Sequence, residues 1–94
     1  MNMPNNLHKR YFGSYSGIKL PLKPVNPLSE DETDNRNTYF CGYYDEDGKM
    51  LVCEKWVYGE VEFSHIYEYH TSGKLKSAII KMQGDEPERL EFPE

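Results

Sequence analysis

The stretch Tyr43-Tyr44-Asp45-Glu46-Asp47-Gly48-Lys49-Met50 recurs 25 positions later as Glu68-Tyr69-His70-Thr71-Ser72-Gly73-Lys74-Leu75. Gly48 and Gly73 keep this spacing, and so do the later glycines Gly59 and Gly84. Each copy has an aromatic residue, a polar four-residue loop closed by glycine, a run of strand-forming residues and a further glycine. This pattern predicts a β-hairpin unit that builds a sheet, and it is not typical of a catalytic motif.

An antiparallel sheet is predicted over residues 38–92 by extending this unit in both directions. Residues 38–44 form a strand, and a four-residue loop would pair Tyr43 with Met50. The next hairpin turns at Gly59, with either Tyr58-Gly59 or Gly59-Glu60 at its centre, and both registers give the same faces. Beyond Gly84, residues 89–92 are a candidate edge strand.

One face of this sheet is predicted to be apolar. Its members are Tyr39, Cys41, Tyr43, Met50, Val52, Trp56, Val61, Phe63, Tyr67, Ala78, Ile80 and Met82. The opposite face would carry Lys49, Lys55, Glu62, Glu68 and Lys81. A single sheet cannot shield its own apolar face, so either the N-terminal segment or a second subunit is expected to cover it.

The N-terminal third is predicted to be extended. Residues 1–8 are polar and expected to be disordered, whereas residues 9–28 read as a strand followed by a proline-rich segment. Pro21, Pro24 and Pro27 favour extended backbone in residues 20–28, which we call the strap. Ser29 and Glu32 form a capping box that predicts one or two helical turns ending near Asn35.

These elements define a mainly β fold. We expect an antiparallel meander of four to six strands, an N-terminal extended strap and at most one short helix. With 94 residues the chain is long enough for one domain, residues 1–94. Because 37% of the residues are hydrophobic and 14% are aromatic, the core should be thin and rich in rings.

The charge is unevenly distributed along the chain. Residues 1–28 carry four basic and no acidic residues, whereas residues 29–94 carry seven basic residues and all 16 acids, a net charge of −9. Such a surface disfavours direct nucleic-acid binding and suits a basic partner. The sequence has no apolar run long enough to span a membrane and no signal-peptide pattern, so a cytoplasmic location is expected.

Two resemblances accompany these patterns. Residues 43–80 resemble the Tyr-Asp-x-x-Gly-Lys-Leu hairpin repeats of bacterial polymorphic-toxin shells and MORN-like modules. The segments Tyr15-Ser16-Gly17-Ile18-Lys19-Leu20-Pro21, Asn35-Arg36-Asn37-Thr38-Tyr39-Phe40 and Tyr58-Gly59-Glu60-Val61-Glu62 are similar to a small, uncharacterised bacterial protein family. This second resemblance implies a bacterial or phage origin and no known activity.

Neither a metal site nor a nucleophilic site is predicted. Cys41, Cys53, His65 and His70 are spaced Cys-x11-Cys-x11-His-x4-His, far from the short paired spacing of structural zinc sites. Cys41 and Cys53 are expected to be buried thiols on opposite faces, although Cys41 would share a face with His65. Glu54 lies on the predicted apolar face, where a structural ion pair with His65 is favoured over an acid/base dyad. No cofactor is expected.

The predicted function is therefore binding. We expect a non-enzymatic acidic protein, a stoichiometric inhibitor of a basic or nucleic-acid-handling bacterial effector, of the toxin-immunity or anti-CRISPR type. The expected partner contacts are Asp45, Glu46, Asp47, Trp56, Tyr58 and Glu60, with acids forming a polar rim around aromatic anchors. The alternative is a small-ligand-binding β domain with a tyrosine-lined pocket between the sheet and the strap. A homodimer is a further possibility, because exposed strand edges of two chains can pair.

Overall fold

A computed structural model describes residues 7–94, which form one seven-stranded antiparallel sheet. The strands are β1 (His8–Ser16), β2 (Lys23–Leu28), β3 (Thr38–Tyr44), β4 (Met50–Val57), β5 (Glu60–Tyr69), β6 (Leu75–Met82) and β7 (Glu88–Glu91). Their spatial order is β2-β1-β3-β4-β5-β6-β7, so β3 to β7 form the predicted meander. The mainly β class is confirmed, whereas the predicted four to six strands were too few. The predicted disorder of residues 1–8 falls mostly outside the described residues, and β1 begins at His8.

The repeated hairpin loops have matching hydrogen bonds. The Asp45 amide donates to the Lys49 carbonyl at 2.9 Å, and 25 positions later the His70 amide donates to the Lys74 carbonyl at 2.8 Å. Gly48 and Gly73 close the two loops with φ angles of +84° and +94°. A side chain would strain the backbone at these angles, so glycine is the residue that fits.

The hairpin between β4 and β5 turns at Tyr58-Gly59. Both residues have positive φ, +50° and +80°, and Val57 pairs with Glu60. This is the geometry of a type I′ turn, whose twist matches that of the flanking strands. The structure therefore selects the first of the two predicted registers.

Three β-bulges overturn part of the predicted division into faces. Tyr43 pairs with Val52 and Tyr44 with Met50, so Leu51 is an extra, unpaired residue. Glu62 is the extra residue in β5, and Lys76 is the extra residue in β6, again 25 positions after Leu51. Each bulge inserts one residue, so side chains before and after it exchange faces.

The structure consequently has two faces, each partly apolar. The core face carries the buried residues Phe12, Phe40, Met50, Cys53, Phe63, Tyr67 and Ala78. The opposite face, which we call the aromatic face, carries Tyr11, Tyr39, Tyr43 and Trp56, together with Cys41, Val52, Glu54 and Val61. The prediction of one apolar face containing both groups is wrong, because the bulges at Leu51 and Glu62 separate them.

The strap is divided between a sheet edge and the core. Residues 23–28 form β2, an edge strand, where Pro24 and Pro27 are tolerated because one side of an edge strand makes no ladder bonds. Leu20 and Leu22 pack against the core-face cluster. The Leu22 amide donates to the Tyr67 hydroxyl at 3.1 Å, which fixes the strap to the sheet.

The connection from β2 to β3 contains the helix α1 (Glu30–Thr33). Ser29 and Glu32 form the predicted capping box, and Glu30, Asp31 and Glu32 occupy the first turn, where the helix dipole favours acids. With four residues, this one helix of the described chain is far too short to cross a membrane.

Candidate binding surface

The aromatic face presents a row of half-buried rings across β1, β3 and β4. Tyr39 and Trp56 are cross-strand neighbours whose rings are parallel within 2°, with centroids 6.1 Å apart. Tyr11 meets Tyr39 edge to face at 6.1 Å. Such pairs hold one another in fixed orientations, so the rings form a preorganised platform.

Glu54 lies at the centre of this row. Its Oε1 atom accepts the Tyr43 hydroxyl at 3.0 Å and the Trp56 indole N–H at 3.1 Å. Burial and this hydrogen bond raise the pKa of Tyr43, so its hydroxyl stays protonated as a donor at neutral pH. The predicted Glu54–His65 pair is wrong, because Glu54 pairs with Ser64 and His65 lies on the core face.

A cation already occupies one end of the aromatic face. The Lys9 ammonium lies 5.2 Å from the Tyr11 ring centroid and 5.5 Å from that of Tyr43. Burial lowers the pKa of Lys9, but its interactions with Tyr43 and Cys41 outweigh burial and raise it to about 12. Lys9 and Tyr11 were absent from the predicted site. Their i, i+2 spacing on β1 places them on one face, but which strand pairs with β1 cannot be read from that spacing.

Tyr58 and Glu60 lie at the turn that ends β4. Tyr58 is 76% exposed and its hydroxyl accepts a hydrogen bond from the Asn37 side chain at 3.3 Å. Glu60 is exposed and its carboxylate accepts from Gln83 at 3.5 Å. Trp56, two residues before Tyr58, is half-buried on the aromatic face, so these predicted contacts form one continuous end of the sheet.

The acidic loop, residues 45–47, lies at the other end of β4. The eight residues of β4 separate it from Tyr58, a distance of about 26 Å at the usual rise per strand residue. The Asp45 carboxylate accepts the amides of Asp47 and Lys49, both at 2.9 Å, so it stabilises the turn. The predicted rim of acids around Trp56 and Tyr58 is therefore not formed by this loop.

Residues 4–94 match the model of DUF6156, a family of unknown function. The chain belongs to DUF6156. No curated protein and no solved structure matches this DUF6156 chain.

The cysteines and histidines of the DUF6156 chain do not converge. Cys41 and Cys53 are fully buried and free, on opposite faces as predicted. Burial raises the pKa of Cys41 to about 11 and that of Cys53 to about 12. The predicted shared face of Cys41 and His65 is wrong. The His65 Nδ1 atom lies 2.8 Å from the Tyr67 hydroxyl, and His70 Nε2 lies 2.7 Å from the Phe92 carbonyl.

Two of the hollows on the described part of the DUF6156 chain lie beside the repeated loops and the strap. A groove of about 410 Å³ lies between the two repeated loops, with Leu51, Ile66 and Ile79 in its lining. A shallower depression of about 270 Å³ beside the strap is lined by Tyr44 and Tyr69. The Tyr69 hydroxyl donates to the Met50 carbonyl at 2.6 Å, so part of its polar surface is already engaged.

Proposed function

We propose that the protein is a non-enzymatic binding protein that acts as a stoichiometric inhibitor of a basic or nucleic-acid-handling bacterial effector. The observation that carries this proposal is Tyr58. Its large apolar ring is 76% exposed, and its backbone has a φ of +50°. The left-handed region costs a non-glycine residue about 1 to 2 kcal/mol, and asparagine or glycine would suit this turn better. Strain retained at an exposed ring favours a role in recognition.

The neighbouring residues supply what an interface anchor requires. Trp56 is half-buried and its ring is parallel to that of Tyr39, so little side-chain entropy is left to lose on binding. Tryptophan and tyrosine are the residues that most often dominate binding energy at interfaces. The partner is therefore proposed to bind at the end of β4, over Trp56 and Tyr58, with Glu60 at the rim.

A basic partner is favoured by the charge of the surface. Residues 29–94, which include the whole meander, have a net charge of −9. Glu46 and Asp47 lie too far from Tyr58 to share its contacts, and we assign them to long-range attraction of the partner. Charges of this kind change the association rate and its salt dependence more than the dissociation rate. The same charge disfavours direct binding of nucleic acid.

Binding without catalysis is supported by the environment of the nucleophiles. Both thiols are buried with raised pKa, so the reactive thiolate is disfavoured at neutral pH. Toxin immunity and anti-CRISPR inhibition remain two variants of the proposal, in a cytoplasmic protein of bacterial or phage origin. A homodimer is compatible with either variant.

The proposal is tested by affinity capture from the organism that encodes the protein, followed by reconstitution with the purified partner. Wild type is compared with Trp56→Ala and Tyr58→Gly, which keeps the turn. Tyr15→Ala is the matched control, because Tyr15 is also exposed, at 41%, but lies on β1. We expect a basic partner whose Kd rises at least about tenfold in the first two variants and is unchanged in the control. An acidic partner, or equal binding by all variants, contradicts the proposal.

A separate double variant tests whether Glu46 and Asp47 attract the partner over long range. Glu46→Lys combined with Asp47→Lys leaves the turn-stabilising Asp45 intact. We expect a slower association rate, a weaker dependence on salt and a nearly unchanged dissociation rate in this double variant. A faster dissociation rate with unchanged association would instead place the loop in the interface.

A second candidate function is small-ligand binding, favoured by the depression between the strap and Tyr44 and Tyr69. Native mass spectrometry of the purified protein tests it, because a retained ligand adds a defined mass. A ligand lost on substitution of Tyr44, together with no captured basic partner, would favour this function over inhibition.

A further inference from the structure

We propose that the aromatic face binds an arginine side chain of the basic partner, with the guanidinium stacked on the Tyr39–Trp56 ring pair and an N–H donated to Glu54 Oε2. This inference rests on the proposed function, because it names the partner group that the aromatic face recognises. It extends the binding site from the exposed turn at Tyr58 onto the half-buried centre of the sheet.

The first support is the one-sided hydrogen bonding of Glu54. Both of its donors, the Tyr43 hydroxyl and the Trp56 indole N–H, reach Oε1. No donor within residues 7–94 bonds to Oε2. No fully buried side-chain oxygen of these residues lacks a partner, so Oε2, which has no donor, is not fully buried. A carboxylate held in a fixed orientation by two donors on one oxygen thus presents its other oxygen to an incoming cation.

The second support is the difference between the two ends of the aromatic face. Lys9 places its ammonium over the rings of Tyr11 and Tyr43, so this face attracts a cation within its own chain. Over Tyr39 and Trp56 no lysine or arginine of the described chain is found. The part of the platform that Lys9 leaves uncovered lies next to Glu54, which is two residues before Trp56 on β4.

The shape of the platform favours arginine over lysine. The Tyr39 and Trp56 rings are stacked, parallel within 2° with centroids 6.1 Å apart, so a planar group can extend the stack on an outer ring face. A guanidinium is planar and weakly hydrated, so it stacks on a ring and still donates in its own plane to a carboxylate. An ammonium is compact, strongly hydrated and not planar, so it gains less from stacking on a ring.

The test uses the fluorescence of Trp56, which is the only tryptophan of the chain and lies at the proposed site. The wild-type protein is titrated with the peptides acetyl-Gly-Arg-Gly-amide, acetyl-Gly-Lys-Gly-amide and acetyl-Gly-citrulline-Gly-amide. Citrulline is the matched neutral probe, because it keeps the size of arginine without the charge. We expect a saturable change with the arginine peptide, weaker binding of the lysine peptide and no saturation with citrulline.

The matched protein variants are Glu54→Gln and Lys9→Met. Glu54→Gln should weaken arginine binding about tenfold, because it removes the charge from the accepting oxygen and keeps the side-chain size. Lys9→Met should strengthen arginine binding, because it removes a nearby positive charge from the aromatic face, and weaker binding would contradict the inference. Circular dichroism establishes that each variant retains the fold. Equal binding of citrulline and arginine, or unchanged binding by folded Glu54→Gln, overturns the inference.

The outcomes for the protein partner separate this inference from the proposed function. A basic partner that is lost with Tyr58→Gly but binds Glu54→Gln as tightly as wild type supports the function and overturns the arginine site. Arginine-peptide binding that depends on Glu54, with no basic partner captured, supports the site and contradicts the inhibitor function.

Discussion

The hydroxyl of Tyr67 joins the strap to the centre of the sheet, and its removal in Tyr67→Phe should destabilise the fold. Tyr67 is 3% exposed on the core face. Its hydroxyl accepts the Leu22 amide at 3.1 Å and lies 2.8 Å from His65 Nδ1. Burial lowers the pKa of His65, which favours the neutral ring, and in the Nε2–H tautomer Nδ1 accepts a hydrogen bond from the Tyr67 hydroxyl.

The expected loss follows from these two bonds. Each net hydrogen bond contributes about 1 kcal/mol, so Tyr67→Phe should lower the free energy of unfolding by about 2 kcal/mol. For a chain of this length, a loss of that size lowers Tm by about 8 to 16 °C. The ring itself remains, so the loss reports the hydroxyl and not a cavity.

Urea denaturation followed by circular dichroism measures the difference. Tyr15→Phe is the matched control, because its hydroxyl is partly exposed and bonds to no other residue between 7 and 94. This control should stay within about 0.5 kcal/mol of wild type. If the free energy of unfolding of Tyr67→Phe is equally close to that of wild type, the Tyr67 hydroxyl does not hold the strap to the sheet.

Three further predictions concern the turn, the buried histidine and the thiols. Tyr58→Asn should raise the free energy of unfolding by about 1 kcal/mol in urea denaturation, because asparagine tolerates positive φ, whereas Tyr58→Phe, which retains the strain, should not. Burial lowers the pKa of His65 in the folded protein, so protonation favours the unfolded chain and the free energy of unfolding should fall as pH drops below about 6.5. His65→Gln should make the free energy of unfolding less dependent on pH in this range, and an unchanged pH dependence would contradict the role of His65. Cys41 and Cys53 should react with iodoacetamide only in urea, as peptide mass spectrometry can measure; native labelling at the rate of a free thiol would refute their burial.

The hairpin units could be predicted from the sequence because their signals are local. Gly48 and Gly73 mark loops whose hydrogen bonds involve residues no more than four positions apart. Likewise, Ser29 and Glu32 cap the short helix through contacts three residues apart. The order of β3 to β7 follows directly, since consecutive hairpins form a meander.

The assignment of side chains to the two faces of the sheet could not be predicted, because a bulge leaves little trace in the alternation of polar and apolar residues. The extra residue Glu62 places Glu54 and Trp56 on the face opposite His65 and Phe63, and the extra residue Leu51 separates Val52 from Met50. Lys55 pairs with Phe40 on one neighbouring strand and with Phe63 on the other. It therefore lies on the core face and not on the predicted polar face. Its ammonium still reaches Glu62 at 2.9 Å, because a long side chain can extend past its apolar neighbours.

The candidate site was predicted in part. Trp56, Tyr58 and Glu60 are grouped by their closeness in sequence, and the structure keeps them at one end of β4. The acidic loop was assigned to the same site on charge alone, although a full strand separates the two. Tyr11 and Lys9 join the aromatic face through pairing between β1 and β3, and such long-range pairing is not encoded in any short pattern.

The position of β1 has a consequence for self-association of shortened chains. β3 reads Thr-Tyr-Phe-Cys-Gly-Tyr-Tyr, without a charge or a proline, and it lies inside the sheet only because β1 pairs with it. A shortened chain that lacks residues 1–28 would have β3 as an open edge strand. An aromatic edge strand without charges or prolines favours intermolecular β-pairing and aggregation. The N-terminal hairpin covers the edge of β3, and the two prolines on its outer strand disfavour pairing with another chain, so the hairpin keeps the protein soluble.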